Sequence, residues 1–337
     1  MKINREELKS ALEIVKPGLA SKEVIPQSTS FAFLNGNIVT YNDEISISHP
    51  IKNLEITGAI EATELYKFIS KLKEEEIDID INEESIVLKS GRATAGFVLN
   101  TEIKLPIEQE LSEKSKWKNL SEGFIDVMKF VSMSCSNDLS NPKLTCVHIN
   151  ENGFMEASDN FRVCHHKIEV PFSTVLIPGE SVDIVTKMKP NKVSEGNGWI
   201  HFKTEYGTVI SCRLFNDVFV DTSAIIKPVK AGVEITFPDN LGEILDRAII
   251  FVNKEEGITG VDINIGGKFL VVDSKTESSW FTEKSRIKYE GEPISFSVTP
   301  YLLKDILSKT KNCLLSDKLL RFTGENWVYV TSLRIAV

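Results

Sequence analysis

No stretch of this sequence is apolar for the roughly 20 residues that a membrane-spanning helix needs. The opening segment, MKINREELKS, also lacks the apolar core of a secretion signal. Both absences point to a chain that works in the cytoplasm. Cysteine is scarce: Cys135, Cys146, Cys164, Cys212 and Cys313 are odd in number, widely spaced and without a CxxC pair. A disulfide framework or a zinc finger is therefore not what organises the fold, and buried, reduced thiols are expected. Positive charge is short as well, with 39 Lys and Arg against 48 Asp and Glu and a net charge of −9. That balance excludes a protein gripping nucleic acid by bulk charge, though not a local basic surface on an acidic body.

The short motifs of phosphate and acyl chemistry are missing too: there is no GxxxxGK[ST], no GxGxxG opening a helix after a strand, and no GxSxG. The one compact Cys/His group, Cys164-His165-His166, reads as strand. Neighbouring strand side chains point to opposite faces, so the three do not converge on a metal. Asp78 and Asp80 share a strand face, where a solvated surface is a simpler reading than a cation site. Asp159 and Arg162 read as an ion pair or a pocket rim rather than a catalytic pair. No catalytic residue, metal or cofactor is expected.

What the sequence does have is a repeat. A tight hairpin turn occurs at Asn35-Gly36, Asn152-Gly153 and Gly266-Gly267, its second glycines 117 and 114 residues apart. Asn-Gly and Gly-Gly supply the positive backbone angles that short hairpins need. A strand–turn–strand segment follows around Gly91, Gly207 and Gly324, spaced by 116 and 117 residues. A helix start falls at Glu61, Glu180 and Thr299, spaced by 119 and 119. Three markers with nearly one period predict three copies of one α+β unit, at 1–113, 114–224 and 225–337. The Ser-, Lys- and Glu-rich stretch from Gln109 to Ser121 suits the first join, and Lys227-Pro228 follows the second.

Each copy reads as helix, strands, helix, strands. The first helix runs from about Asn4 to Val15, with Asn4 as N-cap and Glu7 three residues on. Leu8, Ala11, Leu12 and Val15 make its apolar stripe, and Pro17-Gly18 ends it. Phe124, Val127, Met128 and Val131 form the matching stripe in copy two; Leu241, Ile244, Leu245 and Ala248 do so in copy three. Alternation such as that from Val39 to Ile47 predicts sheets with one face buried under the helices.

The polar faces of these helices carry Arg5, Lys9 and Lys16, then Lys67 and Lys71, then Lys129, Lys187, Arg247 and Lys304. Any one of these is explained as a solvated face. Shared across six helices, they predict a mildly cationic surface that attracts a polyanion weakly and without sequence preference. Acidic residues gather elsewhere, at Glu74 to Asp80 and Glu108 to Glu113.

Several segments, in order, resemble the bacterial DNA polymerase III beta subunit, the sliding clamp family. Asp159-Asn160-Phe161-Arg162-Val163 resembles the family's Thr-Asp-Gly-His/Tyr-Arg-Leu segment, with Ser158 at the Thr position. NPKLTCVHI is similar to the strand before it, with Leu144 at a pocket position. RLFNDVFVD is similar to a Phe-Pro-Asp segment, LDRAIIFVNKEEGITGVDINI to a stretch of the third domain, and YVTSLRI to the Met-Pro-hydrophobic-Arg-Leu ending. The resemblance implies a head-to-tail homodimer, six domains in a ring around double-stranded DNA, helices lining the hole and a continuous outer sheet. It also implies a pocket for a short hydrophobic peptide of the polymerase and the clamp loader. That pocket would comprise Leu144, Ser158, Asn160, Phe161, Arg162, Val163, Asn216, Val220, Leu333, Arg334 and Ile335. Lys22 matches a DNA-contacting position, and Ile250 and Phe251 match the dimer interface.

This sequence departs from the family at Asn160 (Gly), Phe161 (His/Tyr), Asn216 (Pro) and Thr331-Ser332 (Met-Pro), and Ala336-Val337 run past the usual end. These changes fit a diverged or phage-type member with an altered partner peptide. The implied function is a non-enzymatic processivity factor. The alternatives are a clamp-fold scaffold for transcription or repair, and, further off, a metal-dependent nucleic-acid enzyme.

Overall fold

The structure, a computed structural model, describes residues 1–106, 116–229, 231–252 and 260–333. The first copy runs β1 (Lys2–Asn4), α1 (Arg5–Val15), β2 (Ser30–Leu34), β3 (Asn37–Tyr41), β4 (Ile45–Pro50), β5 (Gly58–Glu61), α2 (Ala62–Lys71), β6 (Glu76–Ile81), β7 (Ser85–Ser90) and β8 (Ala93–Val98). The second runs β9 (Lys118–Asn119), α3 (Phe124–Ser132), β10 (Cys146–Asn150), β11 (Phe154–Ser158), β12 (Arg162–Lys167), β13 (Val175–Pro178), α4 (Gly179–Met188), β14 (Lys192–Glu195), β15 (Trp199–Lys203) and β16 (Val209–Arg213). After the short helix α5 (Ser223–Ile226), the third runs β17 (Val233–Thr236), α6 (Leu241–Ala248), β18 (Val261–Gly266), β19 (Phe269–Lys275), β20 (Trp280–Arg286), β21 (Ile294–Val298), α7 (Pro300–Leu307), β22 (Asn312–Ser316), β23 (Leu319–Thr323) and β24 (Trp327–Ser332). The same succession of strand and helix thus occurs three times. It differs from the sequence expectation by one short strand ahead of each first helix.

Helix α1 shows how local sequence sets an element. The Asn4 side-chain oxygen accepts from the backbone N–H groups of Glu6 and Glu7, at 2.9 and 3.1 Å, satisfying two of the donors a helix start leaves open. Leu8, Ala11, Leu12 and Val15 are all buried, where the helix packs on β3 and β4. A single 3-10 turn, Lys16–Gly18, then leads out. Gly18 is required there, because a Cβ would stand 2.4 Å from the Thr40 hydroxyl oxygen. That hydroxyl donates to the Val15 carbonyl at 2.5 Å and ties β3 to the helix end. The stripes expected on α3 and α6 are likewise buried.

The described chain divides into two compact units, Met1–Asp126 with Pro171–Asn216, and Val127–Val170 with Asp217–Val337. The first holds a four-stranded sheet, β1-β6-β7-β8, and an eight-stranded one, β5-β2-β3-β4-β16-β15-β14-β9. In the large sheet the strands of two copies meet edge to edge. β4 and β16 pair antiparallel, with Ile47 opposite Ile210 and Ile45 opposite Cys212. Arg213 reinforces that seam. It lies 2.8 Å from Asp43, donates to the Tyr41 hydroxyl at 3.2 Å and covers the Trp199 ring.

The second unit repeats this arrangement. Its large sheet runs β10-β11-β12-β24-β23-β22-β17, and a smaller one runs β20-β19-β18-β21. The seam is β12 against β24, with Val163 opposite Val330 and Cys164 opposite Tyr329. The compact units cut across the copies because strands of adjacent copies share a sheet. Of the expected joins, 113/114 lies outside the described residues and 224/225 falls within α5.

Cys146, Cys164, Cys212 and Cys313 are buried and Cys135 is half-buried. Burial pushes the Cys313 thiol up to about 12 and those of Cys164 and Cys212 higher still, so these three are not poised as nucleophiles.

One buried histidine gives the first unit a pH dependence. His201 on β15 is 1 % exposed, shares a 2.8 Å hydrogen bond with Ser211 Oγ through Nδ1, and has no partner at Nε2. Burial pushes its pKa from 6.5 down to about 4. Folding therefore favours the neutral ring. The stabilisation is complete above the ordinary histidine pKa and is lost as the pH falls toward 4, a total of about 3 kcal/mol. We expect the denaturant midpoint of the wild type to drop more steeply over that window than that of His201→Asn; parallel profiles would contradict this.

Candidate functional site

The second unit carries most of the residues expected to form a peptide pocket. Leu144 lies in a 3-10 turn, Pro142–Thr145, packed on β10 and β11, and is fully buried. Ser158 ends β11, and its hydroxyl donates to the Arg162 carbonyl at 2.8 Å, closing the turn into β12. Asn160 sits in that turn with φ of 72°, a left-handed conformation. Glycine adopts it freely, and asparagine is among the few other residues that tolerate it. The departure from glycine therefore keeps the backbone. Phe161 points outward and is 56 % exposed, while its carbonyl accepts from the Ser332 N–H at 2.8 Å. Leu333, half-buried, follows directly and donates its N–H to the Lys318 carbonyl. Val163 is buried in the seam, Val220 is half-buried and Asn216 is exposed. Arg334 and Ile335 lie outside the described residues.

Arg162 anchors this surface from beneath. Its guanidinium is buried, with Nε 2.9 Å from Asp159 Oδ2 and Nη1 2.5 Å from Asp305 Oδ2 on α7. Asp159 also accepts the N–H groups of Phe161 and Arg162 through Oδ1, each at 3.0 Å. Burial opposes the guanidinium's charge, but the Tyr329 hydroxyl and the two carboxylates outweigh it and hold its pKa above the ordinary value. Tyr329 donates onward to the Leu302 carbonyl at 2.5 Å. Asp159 and Arg162 are thus an ion pair that shapes a turn. Asp305 and Tyr329 were not visible in the sequence as its partners.

A second cluster that sequence reasoning missed holds the segment carrying Val220. Thr222 donates to the buried Glu156 at 2.5 Å, Glu156 bonds His148 Nδ1 at 2.8 Å, and Phe219 stacks on His148 with ring centroids 5.0 Å apart. Strand alternation places His148 and Glu156 opposite each other on adjacent strands. Nothing in the alternation announces what covers them.

The basic residues are dispersed. Lys22, Lys67, Lys71, Lys129, Lys187 and Lys304 are exposed. Arg5 is turned back onto the Glu74 carbonyl at 3.0 Å and Glu6 at 2.5 Å, Lys9 faces Glu13 at 3.8 Å, and Lys304 pairs with Asp246. Lys16 lies over the Tyr66 ring at 4.3 Å. Acids on the same helices outnumber the bases. Glu6, Glu7, Glu64, Asp126, Glu180 and Glu243 stand in first turns, while Lys71, Lys129, Lys187, Arg247 and Lys304 stand in last turns. That asymmetry complements the helix dipole and gives the shared lysine bias a structural cause of its own. Ile250 is 74 % exposed, and Phe251 stacks on Phe281. Cys164, His165 and His166 splay as expected: the thiol is in the core, while His165 stacks on Phe154 and His166 packs edge-on to Phe130.

Three copies of one unit, joined edge to edge through antiparallel strands, define the fold of the sliding clamps. The beta subunits of bacterial DNA polymerase III have this fold. A sliding clamp from Bartonella birtlesii bound to griselimycin superposes with a TM-score of 0.85 at 18 % identity, over 100 % of this chain and 99 % of that one. The beta subunit of Streptococcus pyogenes gives 0.83 at 20 %, and that of Thermotoga maritima 0.81 at 18 %, each covering 99 % of both chains. No known family model matches the sequence, and no curated protein does.

The Arg162 cluster predicts graded effects. Arg162→Met leaves Asp159 and Asp305 facing each other without their cation and is expected to cost about 3 kcal/mol, as broken buried pairs do. Asn160→Gly is expected to be nearly neutral, whereas Asn160→Val forces a β-branched residue to a positive φ and costs about 1–3 kcal/mol. Thermal unfolding of the three variants checks both; equal effects at position 160 would refute the backbone argument.

Proposed function

We propose that this chain is half of a closed ring around duplex DNA, a sliding clamp of the bacterial DNA polymerase III beta type that serves as a non-enzymatic processivity factor. One observation carries the reading. The strand order of the repeat is joined at β4·β16 and again at β12·β24, and among the described residues leaves two equivalent strands unjoined. β20 occupies the place of β4 and β12, and β8 the place of β16 and β24. A second copy offers β8 to β20 and β20 to β8, so the same antiparallel seam closes a dimer of six repeats. The exposed Val98 at the end of β8, and Ile250 beside the β20 sheet, are apolar surface suited to that seam. The exposed helix lysines, largely balanced by acids, suit loose contact with phosphates and no base reading. The neighbours with this fold, named as DNA polymerase sliding clamps, support the assignment.

Within this reading Phe161, Val220 and Leu333, with Asn216, Arg334 and Ile335, receive a short apolar peptide of the polymerase and the clamp loader. Leu144, Ser158, Asn160, Arg162 and Val163 shape the floor. Lys22 and the helix lysines face the DNA, and Ile250 and Phe251 the partner copy. The chain needs no cofactor for this role and acts in the cytoplasm, where replicating DNA is.

Retention on DNA is then topological rather than a matter of affinity. Loaded protein is expected to stay on nicked circular plasmid in moderate salt and to leave once the plasmid is linearised; equal loss from both forms would reject the ring. Sizing in solution should give twice the mass of the chain, and Ile250→Asp should shift it toward the monomer. Replacing Phe161 and Leu333 by Asp is expected to remove polymerase stimulation while the dimer persists. Undiminished stimulation would move the peptide site elsewhere.

A further inference from the structure

A second cleft, apart from the surface around Phe161, lies on the third copy. It measures about 560 Å³ between the face of β17, β22, β23 and β24 and the chain that follows α5. Ile226 and Val229 form one wall; Leu314, Arg321 and Val328 form the floor, with Glu234 at the edge strand. Arg321 is only 6 % exposed, an unusual burial for a guanidinium that pairs with no carboxylate among the described residues. Two of its nitrogens donate to main-chain carbonyls, Nη1 to Ile226 at 3.1 Å and Nη2 to Ile225 at 2.5 Å. Its Nε is buried without any partner. Burial lowers the pKa of Arg321, and among the described residues no neighbouring charge offsets that. Arg162, also a buried arginine of this unit, has two carboxylates. Arg321 is thus a desolvated cation at the base of an open cleft, short of an anionic acceptor.

The floor is ruled in a way that suits a particular occupant. Glu234, Leu314 and Arg321 form one row across three strands, and Thr236, Asn312, Thr323 and Val328 lie in rows two residues along. An extended peptide presents alternate side chains at that same spacing, roughly 7 Å. The charge also discriminates. One guanidinium with one carboxylate about two strand spacings away, roughly 10 Å, makes the cleft nearly neutral. A single carboxylate completes it, whereas a phosphate dianion would leave excess negative charge beside Glu234.

We propose that this cleft is a docking site for a short extended segment of a partner protein, carrying one Asp or Glu that pairs with Arg321 and an aliphatic side chain that lies on Leu314 and Val328. The site is independent of the ring reading and needs only the second unit.

The test is calorimetric titration of the full chain with acetyl-Ala-Val-Glu-Val-amide and with its Gln counterpart. The Glu peptide is expected to bind about tenfold tighter, the lower range for a hydrogen bond to a charged group. Arg321→Met should erase that preference. Because Arg321 also holds the carbonyls of Ile225 and Ile226, that variant could lose its fold, so Val229→Asp serves beside it. It sets a competing carboxylate in the wall of the cleft and should abolish binding with thermal stability unchanged. Equal affinity for the two peptides, absence of binding at millimolar concentration, or binding unaffected by Val229→Asp would overturn the proposal. So would binding removed by Phe161→Asp instead, or a change of oligomeric state in Val229→Asp, which would make a second copy of this chain the occupant.

Discussion

Antiparallel pairing between strands of successive copies is the constraint on which the rest of this structure depends. An exposed strand edge is a row of unpaired donors and acceptors, and folded proteins cover or blunt such edges. Here each repeat is finished only by its neighbour. β4 finds β16 and β12 finds β24, and both seams are backed by apolar residues facing across the strands. Each seam also carries its own arginine: Arg213 reaches Asp43 and Tyr41, and Arg162 reaches Asp159 and Asp305. Those arginines have no common position in the repeat. What recurs is the need for a charged clamp where two copies join, met by different residues.

The same constraint explains why the surface around Phe161 lies where it does. The β11–β12 turn stands at the end of the second seam, so its backbone is fixed from both sides. Ser158 closes the turn, Asp159 takes its N–H groups, and Ser332 from the far side of the seam takes the Phe161 carbonyl. An exposed aromatic on such a rigid base is preorganised, because little conformational freedom is left to lose on binding. The segment bearing Val220 is fixed separately, through Phe219 on His148 and Thr222 on Glu156.

Much of this was legible in the sequence, because repetition multiplies weak signals. One Asn-Gly pair suggests a hairpin; three glycine turns at nearly equal spacing suggest an architecture. The helix stripes were readable since burial follows the 3.6-residue period, and Asn4 and Pro17-Gly18 marked the bounds of α1. The strands β1, β9 and β17 were missed because two to four residues are too few for alternation to register. They form through pairing with β6, β14 and β22, a tertiary cause. At the site, the turn residues 158–163 were visible as a motif. Asp305 was not, being 143 residues from Arg162 in the chain. Arg321 was silent for the same reason: a lone arginine in RFTGENW gives no sign that it is buried. The lysines were visible but ambiguous, since helix ends select for them independently of any ligand.

That ambiguity has a mechanical side. A lysine in the last turn of a helix already stands in the negative field of the terminal carbonyls, and Lys304 has a carboxylate beside it as well. In the proposed ring, such ammonium groups would meet each passing phosphate with part of their charge already answered. No register along the duplex would then be much deeper than the next. Friction is low where wells are shallow, so the balanced helix ends would serve travel along DNA better than bare cations.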